Sequence, residues 1–270
     1  MDMKRMAHSL FSAILFAATL AVTGCTYREI RPSIAIQEAE RADIIRFAGL
    51  SFQQLAPTVW QHTSYLDLPG FGAVPSNGLI VVHGDTSILV DTGWTASQTD
   101  VIIAWAASEL NRPIRAAVIT HAHSDAMGGI DALHSAGVAT YAHPMTNRIA
   151  PDKQLTPAQN KLIFDGDGWA RNPEDMSLAP LRLYYPGPGH TTDNITVGVM
   201  GTSVAFAGGL IKGSDAKSLG NLKDANTDYY AQAVRNFETA FPDASVIAMS
   251  NSTAEDRDAI ERTLKLAKEL

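Results

Sequence analysis

Residues 116–125 read Ala116-Ala117-Val118-Ile119-Thr120-His121-Ala122-His123-Ser124-Asp125. The first five residues are apolar or β-branched and predict a buried strand, and the polar residues follow at its exit. His121 and His123 are two positions apart, so their side chains project to the same side of an extended chain and can chelate one metal ion. Asp125 can join them as a ligand or hold a metal-bound water. The stretch therefore predicts a metal site at the end of a buried strand.

A third imidazole follows a second predicted strand. Leu181–Tyr185 reads as that strand, and the turn Pro186-Gly187-Pro188-Gly189 leads from it to His190. Glycine and proline in such a turn let backbone approach a site closely. Three histidine ligands with an open fourth position are the arrangement of a catalytic zinc ion, which lowers the pKa of its bound water to about 7. The remaining histidines are interpreted as signal, surface or core residues: His8, His62, His83, His134 and His143.

The rest of the chain alternates short strands with helices. Leu79–Val82 and Ile88–Val90 flank Gly84-Asp85 as a hairpin, and a capping box beginning at Thr95 opens a helix. Further elements are helices at Gly129–Ala136, through Tyr230–Phe241 and from Thr253, and strands at Val138–Tyr141, Ile195–Met200, Ser203–Phe206 and Ser245–Met249. Strands precede helices in both halves, which predicts an α/β fold of the αββα sandwich type, two sheets with helices on their outer faces.

Composition limits the classes of function. The chain has 270 residues, of which 46% are hydrophobic, so it can bury a large core in one domain. Its formal net charge is −7, and it has no basic stripe with interleaved aromatic residues, which argues against a nucleic-acid partner. Cys25 is the single cysteine, so no disulfide framework exists and no second thiol is available for catalysis.

The N-terminal residues predict export and lipid attachment. Lys4 and Arg5 precede an apolar run, Leu10 to Val22, that is short for a membrane span. The run ends in Val22-Thr23-Gly24-Cys25, which is typical of a bacterial lipobox, with cleavage before an acylated Cys25. The alternative is an ordinary secretory signal with an incidental cysteine. We expect a lipoprotein signal at 1–24, a lipidated N-terminus and tether at 25–48, and one domain at 49–270, anchored in the periplasm, to the outer membrane.

Four blocks of sequence resemble a known family. They are HAHSDAMGG (121–129), YPGPGHTTDN (185–194), IKGSDAKSLGN (211–221) and QHTSYLDLPGFGAVPSNGLIV (61–81). They are similar to the New Delhi-type metallo-β-lactamases of the first class B subclass, and weaker similarity runs from about Ile30 to the C-terminus. The wider metallo-hydrolase superfamily typically carries histidine directly after the aspartate, where this chain has Ala126. The resemblance implies the metallo-β-lactamase fold, zinc as cofactor and a small-molecule β-lactam as substrate.

The resemblance assigns metal ligands, two of which are replaced. His121, His123 and His190 would hold the first zinc, and Asp125 would be the carboxylate ligand of a second. Gly209 stands where the family has a cysteine ligand of that second zinc, and Asn251 stands where it has a histidine. Glycine offers no ligand atom, and a neutral amide is a weak ligand for zinc. We therefore expect one tightly bound zinc, a second site that is empty at ordinary zinc levels, and reduced β-lactam turnover.

The resemblance also implies roles around the substrate. Asp125 would orient a zinc-bound hydroxide for attack on the lactam carbonyl, and Asn221 would stabilise the oxyanion. Lys212 would pair with the substrate carboxylate. Without a second metal the departing nitrogen needs a proton, for which water and Asp125 are the candidate donors. An apolar flap would close over the substrate and exclude water, with contacts from Leu66, Phe71 and Val74.

Two other functions stay open at this point. The same zinc chemistry could open lactones or other esters, whose alkoxide leaving groups need less assistance than an amide nitrogen. The lost ligands also permit a degenerate lipoprotein that binds zinc or a β-lactam-like ligand without turnover. For each of these functions we expect a monomer that meets the membrane through its N-terminal lipid.

Overall fold

The computed structural model describes residues 44–171 and 178–270. The predicted signal at 1–24, the lipidation site Cys25 and most of the predicted tether at 25–48 lie outside the described residues. The first strand begins at Ile44, inside the last part of that tether. In the described part of the chain, the helices are all too short or too polar to cross a lipid bilayer.

The larger sheet has eight strands in chain order. They are β1 (Ile44–Phe47), β2 (Leu50–Ala56), β3 (Val59–Leu68), β4 (Gly72–His83), β5 (Thr86–Val90), β6 (Ile114–Ile119), β7 (Ala139–Ala142) and β8 (Asn160–Lys161). The strands from β1 to β5 are antiparallel, whereas β5 to β8 run parallel to one another. The change of direction at β5 places the C-terminal ends of β5 and β6 side by side.

The smaller sheet has four strands in the order β11 (Leu181–Tyr184), β12 (Thr196–Val199), β13 (Val204–Phe206) and β14 (Val246–Ala248). The last two strands are parallel and the others antiparallel. A separate two-stranded hairpin consists of β9 (Ile163–Phe164) and β10 (Ala170–Arg171). The predicted strands of the second half are therefore confirmed, each slightly shorter than the apolar run that signalled it.

Helices cover both outer faces. They are α1 (Ala96–Ser108), α2 (Ser124–Met127), α3 (Ile130–Ser135), α4 (Pro144–Ile149), α5 (Thr227–Ala240) and α6 (Asp258–Ala267), with a 3₁₀ turn at Ala150–Lys153. The Thr95 hydroxyl accepts the Gln98 N–H at 3.3 Å and caps α1, as the capping box predicts. The N-cap of α5 is Asn226, whose side chain accepts the Tyr229 N–H at 3.0 Å.

Three apolar layers show that the molecule is an αββα sandwich. Leu89 packs with Ile102 and Trp105 between the larger sheet and α1, whereas its strand neighbours Ile88 and Val90 face the smaller sheet. On the other side, residues of the outer face of the smaller sheet pack against α5 and α6, among them Ala205, Ile247, Tyr230, Phe237 and Ile260. Because side chains alternate along a strand, each central strand contributes to two layers. The predicted fold class is confirmed.

One local prediction is different in the structure. The C-terminal helix begins at Asp258 and not at Thr253, because Glu255 exchanges two backbone hydrogen bonds with Ile247, at 2.7 and 3.0 Å, and this pairing keeps the preceding segment extended. The predicted flap is the tip of one long hairpin. β3 and β4 pair continuously from Val59↔Val81 to Leu68↔Gly72, and Phe71 at the turn is 83% exposed.

Candidate metal centre

The three predicted histidines converge at one edge of the sandwich. His121 and His123 follow β6 of the larger sheet, and His190 lies in the connection from β11 to β12 of the smaller sheet. Their ring centroids are 4.7 to 5.1 Å apart, and each pair of rings is nearly perpendicular, with interplanar angles of 74° to 87°. One ligand atom from each ring lies within 4.8 Å of the others. Three imidazoles that face a common point in this way form a pocket for one ion.

A buried chain of hydrogen bonds orients His121. Asp91, just after β5, accepts the Thr120 backbone N–H and the Thr120 hydroxyl, both at 2.7 Å. The Thr120 oxygen lies 2.9 Å from Nδ1 of His121, and because its hydrogen is given to Asp91, it accepts the Nδ1 hydrogen. The lone pair of His121 is therefore on Nε2. That atom is buried and has no hydrogen-bond partner within 44–171 and 178–270, as expected of a metal ligand.

His123 is held from the opposite side. Its Nε2 lies 2.9 Å from Oδ2 of Asp224, and Nζ of Lys153 lies 2.5 Å from the same oxygen. These two hydrogen bonds, with Lys153 the larger contributor, hold the pKa of the Asp224 carboxyl below its ordinary value. An ionised carboxylate accepts the Nε2 hydrogen and leaves Nδ1 of His123 as the atom available to a metal.

The loop that carries His190 is tied to the loop that carries the other two histidines. Asn194 accepts the Thr191 N–H and donates to the Gly187 carbonyl, both at 3.0 Å, which closes the turn around His190. The buried carboxylate of Asp193 accepts the Ala122 N–H at 2.9 Å. Asp193 therefore joins the two ligand-bearing loops, although they belong to different sheets.

The ionisation of the histidines suits metal binding. Burial, with His123 as the next contributor, lowers the pKa of His121 to about 4. Burial also holds the pKa of His190 well below its ordinary value, with the nearby Lys212 adding to the effect. Both rings are neutral at pH 7, and neutral imidazole is the form that coordinates a metal. With the unpartnered Nε2 of His121, the donor set fits one ion such as zinc.

The positions of the family's second zinc site do not form a comparable pocket. Oδ1 of Asp125, in the first turn of α2, is 3.9 Å from Nε2 of His121. Its other oxygen, Oδ2, accepts a hydrogen bond from Nδ2 of Asn251 at 3.2 Å, and that Nδ2 atom also donates to the Pro75 carbonyl at 2.9 Å. Gly209, the third position, has no side chain. The residues present thus provide one carboxylate, already hydrogen-bonded, for a second ion.

A cavity of about 430 Å³ opens onto His123 and His190. Lys212, Asn221 and Trp94 contribute to its walls, and the β3–β4 hairpin contributes Leu68, Phe71 and Val74. Leu66, predicted to contact substrate, is not among the residues that line it. Leu66 pairs with Val74 across the hairpin, and Leu68 is the β3 residue that reaches the cavity.

Lys212 is the cationic group of this cavity. Burial lowers its pKa to about 8, and the negative charge of Asp125 partly opposes the effect. Within the described ranges, its ammonium makes no hydrogen bond or ion pair with another residue. Asn221 is exposed, and its Oδ1 accepts the Lys223 N–H at 3.0 Å. A cavity with an unpaired cation beside a metal pocket suits an anionic ligand.

Several residues of the centre were not predicted. Asp91 had a detectable signal, since a carboxylate at the end of a strand beside the His121 strand is a usual site position. Asp193 lies inside the YPGPGHTTDN block. Asp224 and Lys153 gave no signal, because Asp224 contacts His123 across 101 residues of chain and Lys153 contacts Asp224 across 71 residues. Trp94, whose indole N–H donates to the Val74 carbonyl at 3.1 Å, was also missed.

The other histidines lie outside the centre. His62 is buried beneath the larger sheet, with Nε2 3.3 Å from the Asp91 carbonyl, and His83 is exposed at the end of β4. His134 on α3 pairs with the Thr140 hydroxyl at 2.8 Å. His143 accepts the Met145 N–H at the start of α4 and stacks on Tyr185. These contacts are structural; His8 lies outside the described residues.

The fold and the histidine cluster define a metal-binding protein of the αββα sandwich class. Comparison with protein families narrows this class. Residues 71–247 match the family described as the metallo-beta-lactamase superfamily. The chain is also 31% identical over 218 residues to a metallo-beta-lactamase type 2 of Pseudomonas aeruginosa, covering 81% of this chain and 84% of that protein. The chain belongs to the metallo-β-lactamase superfamily.

Solved structures show the same relationship. A metallo-β-lactamase from Erythrobacter litoralis, with β-mercaptoethanol in its active site, is 61% identical, with a TM-score of 0.82 over 84% of this chain and 100% of that one. A structure from that organism, described as an NDM_FIM-1 like enzyme in the mono-zinc form, is 59% identical, with a TM-score of 0.71 over the same shares. FIM-1 from Pseudomonas aeruginosa, also in the mono-zinc form, is 43% identical, with a TM-score of 0.78 over 83% and 97%.

Proposed function

We propose that this chain is a β-lactam hydrolase of the New Delhi-like first subclass that works with one tightly bound zinc. The observation that carries the proposal is the juxtaposition of a three-histidine metal pocket with an unpaired lysine in one cavity. β-Lactam antibiotics combine a strained amide with a carboxylate, so they present both the group to be hydrolysed and an anion for Lys212. The names of the similar proteins support the same substrate class.

Each residue of the site has a role in this reaction. A zinc ion, when bound by the three histidines, supplies a water of lowered pKa and an electrostatic partner for developing negative charge. Asp125 accepts a hydrogen bond from the attacking water and orients it toward the carbonyl carbon. The amide N–H groups of Asn221 donate to the carbonyl oxygen as it gains charge, and removal of one such donor costs about 10²–10³ in rate. Lys212 binds the carboxylate and fixes the ring.

The departing nitrogen determines how fast this enzyme turns over. Cleavage of the lactam C–N bond leaves a nitrogen anion that must take up a proton. As the water oxygen bonds to the carbonyl carbon, Asp125 takes one proton of that water, and when the C–N bond breaks it passes this proton to the departing nitrogen and becomes a carboxylate again. Asn251, which donates to Oδ2 of Asp125, holds the carboxyl in place during both transfers. Protonation of the nitrogen takes the place of the stabilisation of its negative charge that a second metal would give. We therefore expect turnover to be lower than in an enzyme with two metals.

The expectation of one zinc rests on residues 125, 209 and 251. Two of these three positions lack a good zinc ligand, and the third is already hydrogen-bonded. Two similar enzymes have been solved in mono-zinc forms, which is consistent with one ion per chain. Zinc content after dialysis against metal-free buffer tests the stoichiometry. Two tightly held ions per chain would contradict this part of the proposal.

The substrate is tested with a panel at graded zinc concentrations. The purified protein would be given a chromogenic cephalosporin, a carbapenem and a simple lactone. We expect hydrolysis of at least one β-lactam that saturates at one zinc per chain. Opening of the lactone alone would assign the site to ester hydrolysis. Binding of β-lactams without any product would make the chain a non-catalytic receptor.

We also propose that Cys25 is lipidated and that the domain is held, as a monomer, at the outer membrane facing the periplasm. The support is the lipobox Val22-Thr23-Gly24-Cys25 after a basic and apolar leader. Incorporation of labelled palmitate by the wild type and not by Cys25→Ser, followed by membrane fractionation, tests the anchor. Equal labelling of the two proteins would refute it.

A further inference from the structure

Gly209 lies directly against the ring of His190. A Cβ atom at position 209 would be 2.5 Å from Nε2 and 2.9 Å from Cγ of that imidazole, and closer still to Cδ2. These separations are too short for van der Waals contact. The backbone at Gly209 has no positive φ, so its conformation would accept an ordinary residue. Glycine is needed here for space and not for conformational freedom.

The ring of His190 is buried within the metal centre. The backbone beside it is also enclosed, since a Cβ at Gly189 would lie 2.6 Å from Cδ1 of Leu210 and 3.0 Å from Cβ of Ala233. The rings of His121 and His123 are also close to the His190 ring, each with its centroid 5.1 Å away. A side chain at position 209 would therefore force the His190 ring out of its position among the three imidazoles.

We propose that Gly209 is a positioning residue of the metal centre, whose missing side chain gives His190 its place in the three-histidine pocket. A thiolate at this position would compete with His190 for the same space instead of adding a ligand. We therefore expect that, in this chain, a second ion site with a cysteine at position 209 forms only at the expense of the first ion site. The inference rests on the proposed zinc site but not on the identity of the substrate.

Asn251 also disfavours a second ion. Its amide is fixed between Oδ2 of Asp125 and the Pro75 carbonyl, so it takes up the carboxylate oxygen that a second ion would need. The site is in this sense adapted to one ion, and restoring the two missing ligand types is not sufficient to rebuild the other.

The test compares two glycine substitutions. Gly209→Ala adds only the Cβ atom, and we expect it to weaken zinc affinity, measured by competition with a chromogenic chelator, by about 10-fold or more. Gly166→Ala is the matched control, because Gly166 is exposed, has no positive φ and has nothing within 4 Å of an added Cβ. Gly209→Ala affinity within twofold of the wild type would overturn the proposal.

A double-mutant cycle separates a direct contact with His190 from general misfolding. The melting temperature of the metal-free protein would be measured for Gly209→Ala, His190→Ala and the double variant. We expect Gly209→Ala to lower it in the wild-type background and to have little effect once the imidazole is gone. Equal losses in both backgrounds would contradict a contact through His190. These measurements use no substrate, so they are independent of whether the chain hydrolyses β-lactams.

A third variant addresses the exclusion itself. Gly209→Cys combined with Asn251→His restores both missing ligand types. We expect it to hold no more than one zinc tightly, and to hold that ion less tightly than the wild type does. Two tightly held ions, with the first at wild-type affinity, would show that the two sites are compatible.

Discussion

Nε2 of His123 lies 2.9 Å from Oδ2 of Asp224, across 101 residues of chain, and Nζ of Lys153 shares that oxygen at 2.5 Å. A metal-binding imidazole that donates its other N–H to a carboxylate is fixed in orientation and in tautomer. The lysine keeps the carboxylate charged, so the arrangement holds Nδ1 of His123 toward the ion site. This contact joins the end of β6 to the segment before α5 and the 3₁₀ turn after α4.

The first prediction concerns Asp224. Asp224→Ala should weaken zinc affinity by about 10- to 100-fold, because His123 loses the partner that fixes its ring. Lys153→Met should cause a smaller loss, since the carboxylate remains. Competition with a chelator measures both affinities, and Asp228→Ala, an exposed acidic residue at the start of α5, is the control. Unchanged affinity in Asp224→Ala would remove it from the metal centre.

The second prediction concerns His190. His190→Ala should abolish tight zinc binding and β-lactam hydrolysis together, because two imidazoles do not complete the pocket. Zinc content after dialysis and the rate with a chromogenic cephalosporin are the two measurements. His83→Ala, at an exposed position on β4, should leave both unchanged. Hydrolysis that survives in His190→Ala would show that the reaction does not depend on this ion.

The third prediction concerns pH and Lys212. Its pKa is about 8 in the free protein, and the protonated form is the one that attracts a carboxylate. The KM for a carboxylate-bearing β-lactam should therefore be lowest below pH 8 and rise as pH increases above it. Lys212→Arg should remove this rise, since guanidinium stays charged, and Lys212→Gln should have a high KM throughout. A wild-type KM that does not change between pH 7 and 9.5 would contradict the assignment.

The fourth prediction concerns acid stability. Burial lowers the pKa of His62 from 6.5 to about 4, so the folded state binds fewer protons than the unfolded state between these values. Above pH 6.5 His62 is neutral in both states and does not reduce the free energy of unfolding. As pH falls from 6.5 toward 4, protonation of His62 in the unfolded state lowers the free energy of unfolding, by up to about 3 kcal/mol. His62→Leu should flatten this part of the stability profile, measured by urea unfolding. His83→Leu should have the same slope as the wild type, and an equal slope in His62→Leu would exclude His62 as the cause.

The features that depend on a short stretch of sequence were predictable. The continuous apolar runs Leu79–Val82 and Ile88–Val90 predict buried strands, and a histidine pair at a strand exit predicts a site. The contacts that depend on distant segments had no local signal. Asp224 contacts His123, and Lys153 contacts Asp224, only because the 3₁₀ turn after α4 and the segment before α5 lie at the same edge of the sandwich. Gly209 was recognised as a lost ligand, but its contact with the His190 ring depends on loop packing.

The expected start of the C-terminal helix was wrong for the same reason. The helix expected from Thr253 starts at Asp258, since Glu255 first pairs with Ile247 across the smaller sheet. Leu66, predicted to contact substrate, is not among the residues that line the cavity, whereas Leu68, two positions further along β3, is. Both side chains project to the same face of β3, so neither residue type nor strand alternation distinguishes them.

The ligands of the metal pocket come from both sheets, with His121 and His123 after β6 and His190 before β12. Neither half of the chain can therefore assemble the pocket by itself. Metal capture should be one of the last events of maturation, since it has to wait until the two sheets have docked. Once bound, the ion would cross-link the two sheets. A nascent or partly unfolded chain would therefore compete poorly for zinc, whereas the folded protein would retain the ion.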